Sequence, residues 1–247
     1  MANINTNLRV LLIDFSPVIQ AGLQSILATD KAIEIAGHAS DGSEAVMLLK
    51  KATSEGRPIN VVLTATRTPN MDGVQATRII KEGFPAVGVI VLTEHDNDSH
   101  VIDAIHAGAG GYIFLTGMSS EVLLDSIHRV IEGGTQMKTD LLRKAVDALL
   151  QNGRKTLAER TAEAAHLTDR EVDVLRLMGN GDTNGEISNN LTISMDTVKK
   201  HVHNIINKMQ ARSRTHVCII AAQAGIVGKL SLVKAVEPEL SKPALVK

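Results

Sequence analysis

The sequence predicts an α/β domain built on a five-stranded parallel sheet, followed by a smaller all-α domain of four helices. Two observations carry this. Over residues 8–132, short β-branched runs alternate with longer segments whose apolar residues recur at helical spacing. From Leu167 onward the strand signal disappears and only helical periodicity remains. A chain of 247 residues is long enough to bury a core in each of two such domains.

Strands are read at Val10–Asp14, Ile33–His38, Asn60–Ala65, Val87–Leu92 and Gly111–Phe114. Their near-continuous apolar character fits strands covered on both faces. The helical segments between them are Val18–Leu27, Ser43–Ala52, Val74–Glu82, Ser99–Ala107 and Ser119–Ile131. Strict alternation of strand and helix implies right-handed crossovers and a parallel sheet. Gly133-Gly134 stops the fifth helix. This first domain is taken as residues 1–134, with a linker at 135–165. Leu141, Leu142, Ala145, Val146, Leu149 and Leu150 form one apolar stripe there, on a helix beginning near Thr139 and ended by Asn152-Gly153. The second domain is taken as 166–230, with helices at Asp169–Met178, Asn184–Asn190, Met195–Met209 and Arg214–Ala224. Residues 231–247 are expected to be a disordered tail, since Glu237–Lys247 contains two prolines and little apolar material.

Composition excludes several classes. Hydrophobic residues make up 44% and charged residues 21%, as in ordinary globular proteins. No apolar run reaches the roughly 18–20 residues of a membrane span, and MANINTNLRV lacks a signal-peptide layout, so a cytoplasmic location is expected. The single cysteine, Cys218, sits in VCIIAA and reads as a small buried hydrophobe. One cysteine excludes an internal disulfide and a multi-cysteine zinc site. HDNDSH at 95–100 carries metal-ligand types, but it falls where a loop caps the next helix. No phosphate loop and no catalytic triad is legible, so neither an enzyme nor a bound cofactor is expected.

Net charge is −1, yet the distribution is uneven. Between Thr197 and Thr215 stand Lys199, Lys200, Lys208, Arg212 and Arg214, with no acid among them. Such a one-sign stretch is an electrostatic footprint for nucleic acid. It spans the third helix of the second domain and the start of the fourth. Thr168 and Glu171 have capping-box spacing at the start of the first of those helices. Gly179-Asn180-Gly181 turns the chain into a short helix carrying Glu186 and Ile187. Leu191-Thr192-Ile193-Ser194 then leads into the longer one, capped by Ser194. This is a helix-turn-helix layout, whose second helix enters the major groove.

Residues 167–227 resemble the LuxR-type helix-turn-helix domain. Thr-x-Arg-Glu-x-x-Val-Leu at the start, Glu-Ile before the turn, Ile-Ser-x-x-Thr-Val-Lys-x-His-Val, and Ser-Arg-Thr after the recognition helix all stand in register. The resemblance implies that Val198, Val202 and Ile206 face the core. Thr197, Lys199, Lys200 and His203 then lie at or near the groove, with Asn204 and Asn207 further along. Lys208, Arg212, Arg214, Thr192 and Ser194 are implied phosphate contacts. Val217, Ile220, Ala221 and Ala224 would form the family's dimerisation helix. One departure stands at Gly185, where the family usually carries a basic residue.

The first domain resembles a response-regulator receiver, which implies a flavodoxin-like sheet of order 2-1-3-4-5. RVLLID, TPNMDGVQ, VIVLT and GAGGYIF carry the likeness. Together the two domains resemble a NarL/FixJ-type response regulator. An ordinary receiver is phosphorylated on an aspartate at the carboxyl end of the third strand, beside Mg²⁺-holding carboxylates and a lysine. Here that acceptor position is Ala65, the second acid of strand one is Phe15 beside Asp14, and the lysine is Leu115. Thr93 and Tyr112, which sense the phosphoryl group, are retained. Thr64 points away from the pocket and Thr66 has no evident base, so neither substitutes as acceptor.

The expectation is therefore a DNA-binding transcription regulator with a phosphorylation-independent receiver. It would bind an inverted-repeat operator in double-stranded DNA as a homodimer. RNA polymerase, a small ligand in the apolar receiver site and a regulatory protein stand open as further partners. An adaptor with vestigial DNA binding is the alternative.

Overall fold

The computed structural model describes residues 7–13, 16–66, 68, 70–94, 98–137, 166–224 and 226–227. Strands β1 (Leu8–Ile13), β2 (Ile33–Ala39), β3 (Val61–Ala65), β4 (Gly88–Thr93) and β5 (Gly111–Phe114) form one parallel sheet in the order β2-β1-β3-β4-β5. Between and after them run α1 (Pro17–Leu27), α2 (Gly42–Ser54), α3 (Gly73–Gly83), α4 (Asp98–Ala107) and α5 (Ser120–Ile131). The sequence assignments hold to within two residues at every end.

Alternation along β1 sends its side chains to two cores. Val10 and Leu12 join Leu23, Leu27, Leu63, Ile90, Leu123 and Ile127, under α1 and α5. Leu11 and Ile13 join Leu49, Val62, Ile80 and Val89, under α2 and α3. Burial on both faces explains why β3 and β4 are apolar over most of their length. Helix starts are set locally. Ser16, Asp41, Asp72 and Ser119 each accept a first-turn backbone N–H through their side chains, worth about 1 kcal/mol apiece.

The first domain runs past its expected end at 134. Gln136 pairs with the edge of β5: Tyr112 N–H donates to Gln136 O at 2.8 Å, and Gln136 N–H donates to Gly110 O at 2.9 Å. Met137 is buried beside it. The expected linker helix beyond, and the tail from 231, lie outside the described residues.

The second domain is α6 (Asp169–Gly179), α7 (Asn184–Leu191), α8 (Met195–Lys208) and α9 (Arg214–Gln223). Thr168 and Glu171 form the expected capping box. Thr183 and Glu186 form a second at the start of α7, at the same spacing and equally readable in the sequence. The apolar sides of these helices pack with Val91, Val101, Ile105 and Tyr112 of the first domain in one continuous cluster. The two domains thus share a core rather than standing apart. Among the described residues, no helix is long and apolar enough to cross a membrane, and no group of three potential metal ligands forms.

Candidate nucleic-acid interface and receiver pocket

The geometry of α8 follows from its sequence. Ser194 caps it, accepting Thr197 N–H at 3.2 Å while the two hydroxyls lie 2.8 Å apart. Val198, Ile205 and the following Met209 are buried, with Val202 and Ile206 partly so. The opposite side presents Lys199, Lys200, His203, Asn204, Asn207 and Lys208 to solvent. Lys199 lies 4.0 Å from the exposed carboxylate of Asp196. The Asn207 amide lies 2.9 Å from Nε2 of His203, an i,i+4 pair that orients both polar heads. The turn into α8 passes through Thr192, exposed and left-handed at φ +53°. A β-branched residue there holds roughly 1–2 kcal/mol of strain, a concentration seen at functional turns.

Two of the predicted phosphate contacts are otherwise engaged. Lys208 Nζ donates to Glu171 Oε2 at 2.7 Å. Burial pushes the Glu171 carboxyl up, but Lys208 and the backbone N–H and hydroxyl of Thr168 outweigh it and hold the group below the usual glutamate range. Arg214 is turned inward. It donates to Asn184 Oδ1 at 2.9 Å and to the carbonyl of Asp182, tying the start of α9 to the start of α7. Arg214 is thus a structural tie in this arrangement rather than an open cation, while Arg212 remains exposed.

The expected dimerisation helix is also enclosed. Val217 and Ala221 are fully buried, and Ile220 and Ala224 partly so. α9 packs on α6 and α8 and, on another side, on α4 of the first domain. The sequence offered apolar residues on several sides of α9 and no means of choosing which neighbour each would meet. Around it the domains are joined by polar contacts. Thr135 and Thr215 hydroxyls lie 3.0 Å apart, Asn184 N–H donates to Glu132 O at 2.8 Å, and Arg129 reaches Gly181 O at 3.4 Å. Gly133, left-handed at φ +79°, admits this approach, since a Cβ there would come within 2.5 Å of the Asn184 amide. The Ser-Arg-Thr motif therefore splits into three jobs: Ser213 caps α9, Arg214 ties α7, and Thr215 meets the other domain.

At the carboxyl ends of the strands, Ala65 closes β3 with only a methyl group. Gly73, at the start of α3, lies so close that a Cβ would collide with the Ala65 carbonyl, and its N–H donates to Thr66 O at 3.0 Å. Thr66 Oγ1 donates to Leu92 O at 3.3 Å. Thr64 is fully buried and bonds locally to the Ala65 carbonyl. Thr93 is buried at the end of β4, and Leu115 N–H donates to its carbonyl at 2.8 Å. Leu115 itself packs against the core under α1 and α5. Tyr112 is buried, edge-on to Phe114 with ring centroids 5.9 Å apart, in the cluster shared with the second domain. Asp14, Phe15 and residues 95–97 lie outside the described residues.

Residues 10–128 match the response regulator receiver domain, and residues 165–221 match the bacterial regulatory proteins of the luxR family. The transcriptional regulatory protein LiaR of Bacillus subtilis (strain 168) is 33% identical over 220 residues, 89% of this chain and 99% of that protein. The chain belongs to the response regulators with a LuxR-type DNA-binding domain. The transcriptional regulatory protein DegU of Brevibacillus brevis is 31% identical over 239 residues, 91% of this chain and 97% of that protein. A LuxR-family response regulator structure from Aurantimonas sp. SI85-9A1 shares the fold. It is 22% identical with a TM-score of 0.50, covering 57% of this chain and 97% of that one. This response regulator is a transcriptional regulator and not an enzyme, as its relatives are. Its first domain is the receiver, and its second carries the recognition helix α8.

Proposed function

We propose that this response regulator binds paired half-sites in double-stranded DNA as a homodimer and does so without aspartyl phosphorylation of its receiver. The observation that carries the reading is a contrast of side chains. The outward face of α8 keeps Lys199, Lys200, His203, Asn204 and Asn207 open to solvent, whereas the acceptor position of the receiver holds Ala65. A methyl group has no oxygen to accept a phosphoryl group, and Leu115 supplies no ammonium to neutralise one. Lys199, Lys200 and His203 are the candidates for base contact. Asn204, Asn207, Thr197, Ser194, Thr192 and Arg212 are candidates for positioning on the backbone.

Two-fold symmetry predicts an inverted repeat with half-sites about one helical turn apart. Selection of binding sites from a random duplex pool, with purified protein and no phosphodonor at two salt concentrations, tests both parts. Recovery of an inverted repeat supports the reading. Binding that yields no motif and vanishes with salt overturns it.

A further inference from the structure

The outward ridge of α8 is basic and polar except at its head, where an acid stands. Asp196 lies in the first turn, two residues after the Ser194 cap, and its side chain is 87% exposed. At 3.6 residues per turn, Asp196, Lys200, His203 and Asn207 fall along one line, opposite the buried Val198, Ile205 and Met209. Lys199 flanks the start of that line, its ammonium 4.0 Å from the Asp196 carboxylate. So wide and exposed a pair stabilises a helix little and leaves both groups open to another partner. Glu171 differs in both respects, since its carboxylate is buried and Lys208 meets it at 2.7 Å. The helix dipole favours an acid in a first turn, wherever that turn points. Here it points the way the lysines do.

An acid on a surface that meets DNA is repelled by phosphate, which lines a duplex at one charge per roughly 1.7 Å. The repulsion is offset only where the carboxylate reaches a hydrogen-bond donor. In the major groove those donors are the amino groups of cytosine and adenine. Adenine N6 is flanked by acceptors on both sides, its own N7 and the O4 of thymine, and both oppose a carboxylate. Cytosine N4 has an acceptor on one side only, O6 of its guanine partner, and a lysine satisfies that one together with guanine N7. An acceptor beside a donor on the protein thus matches a donor beside acceptors on one C·G pair. We propose that Asp196 reads sequence: it accepts from cytosine N4 while Lys199 donates to guanine O6 and N7 of the same base pair. The N-terminal end of a recognition helix is the part that reaches base edges, and both residues stand there. This pairing rests on the half-site reading given above, and it fixes one position of each half-site as C·G.

The test is selection from a random duplex pool without phosphodonor, run in parallel for the full-length unmodified chain, Asp196→Ala and Lys199→Ala. Native helix content of each is checked by circular dichroism. The unmodified chain should recover a half-site containing a C·G pair preferred roughly ten- to hundredfold over the other pairs, when single-base variants are compared by fluorescence anisotropy. Asp196→Ala should lose the preference at that pair and keep the rest of the motif. Lys199→Ala should relax the same pair. Asp196→Asn, an isostere whose amide pairs with adenine N6 and N7, should move the preference towards A·T. Undiminished preference in Asp196→Ala, or relaxation at a pair other than C·G, would overturn the proposal. So would an equal gain of affinity for every duplex with a steeper salt dependence, which places the carboxylate against phosphate. An equal loss for every duplex, with the motif unchanged, would reduce Asp196 to a support of the helix and overturn it too. An unmodified chain that recovers no motif sinks the half-site reading and the pairing with it, whereas a motif that Asp196→Ala leaves intact sinks the pairing alone.

Discussion

The outward face of α8 and the carboxyl ends of β3 to β5 are the two places where a response regulator meets the outside, and here they differ in kind. On α8 the exposed side chains are lysine, histidine and asparagine, held in place by a buried apolar side and by Ser194 at the cap. At the strand ends the side chains are apolar or enclosed: Ala65 and Leu115 offer no polar group, and Thr93 and Tyr112 are buried. Polar groups that bind an external partner must stay at the surface. Apolar side chains at a partly buried site cost no desolvation. The scaffold around the receiver pocket nevertheless persists, down to the Gly73 that lets α3 start against the Ala65 carbonyl.

This contrast can be broken or sharpened by experiment. The largest effect is expected at the support of the recognition helix. Glu171→Ala removes the partner of Lys208 and half of a capping box, and should lower the stability of the LuxR-type domain by about 2–3 kcal/mol in urea denaturation. Because the Glu171 carboxyl is held below its ordinary range, its stabilisation is present above that range and is lost as pH falls through the depressed value. Next comes Lys199→Ala, which should cost about 1–3 kcal/mol of DNA affinity and relax specificity at one base position. A uniform loss across sequences would reassign Lys199 to phosphate. Smaller still is Gly185→Lys. A Cβ at Gly185 meets nothing closer than 3.7 Å, so the side chain fits. One added phosphate contact should steepen the salt dependence by about 0.9 in log–log slope, measured by fluorescence anisotropy. The smallest effect is expected of Ala65→Asp. Restoring the carboxylate alone leaves Leu115 without a charge, so incubation with a small-molecule phosphodonor and Mg²⁺ should leave DNA affinity unchanged. A clear gain would show the pocket to be only one residue from function.

Local signals explain why the fold was legible. β-branched runs, the Ser194 cap and the Thr168–Glu171 spacing all act within a few residues, and they place the elements almost to the residue. What the sequence concealed lies between residues far apart in the chain. Thr135 meets Thr215 across 80 positions, and Arg214 folds back on Asn184 across 30. A basic residue in a basic stretch reads as a DNA contact until its partner is known. Gln136 likewise reads as linker because nothing in its neighbourhood announces an extra rung on β5.

Gly133 sets a rule for shuffling these modules. The hydrogen it carries in place of a side chain lets the end of α5 lie against Asn184 at the start of α7. A receiver transplanted from another regulator, with a larger residue at that point, would carry the strain of a left-handed backbone and push the Asn184 side chain aside. The Asn184 amide would then have to give up its place beside Arg214, so a substitution in one module would be felt at a tie inside the other.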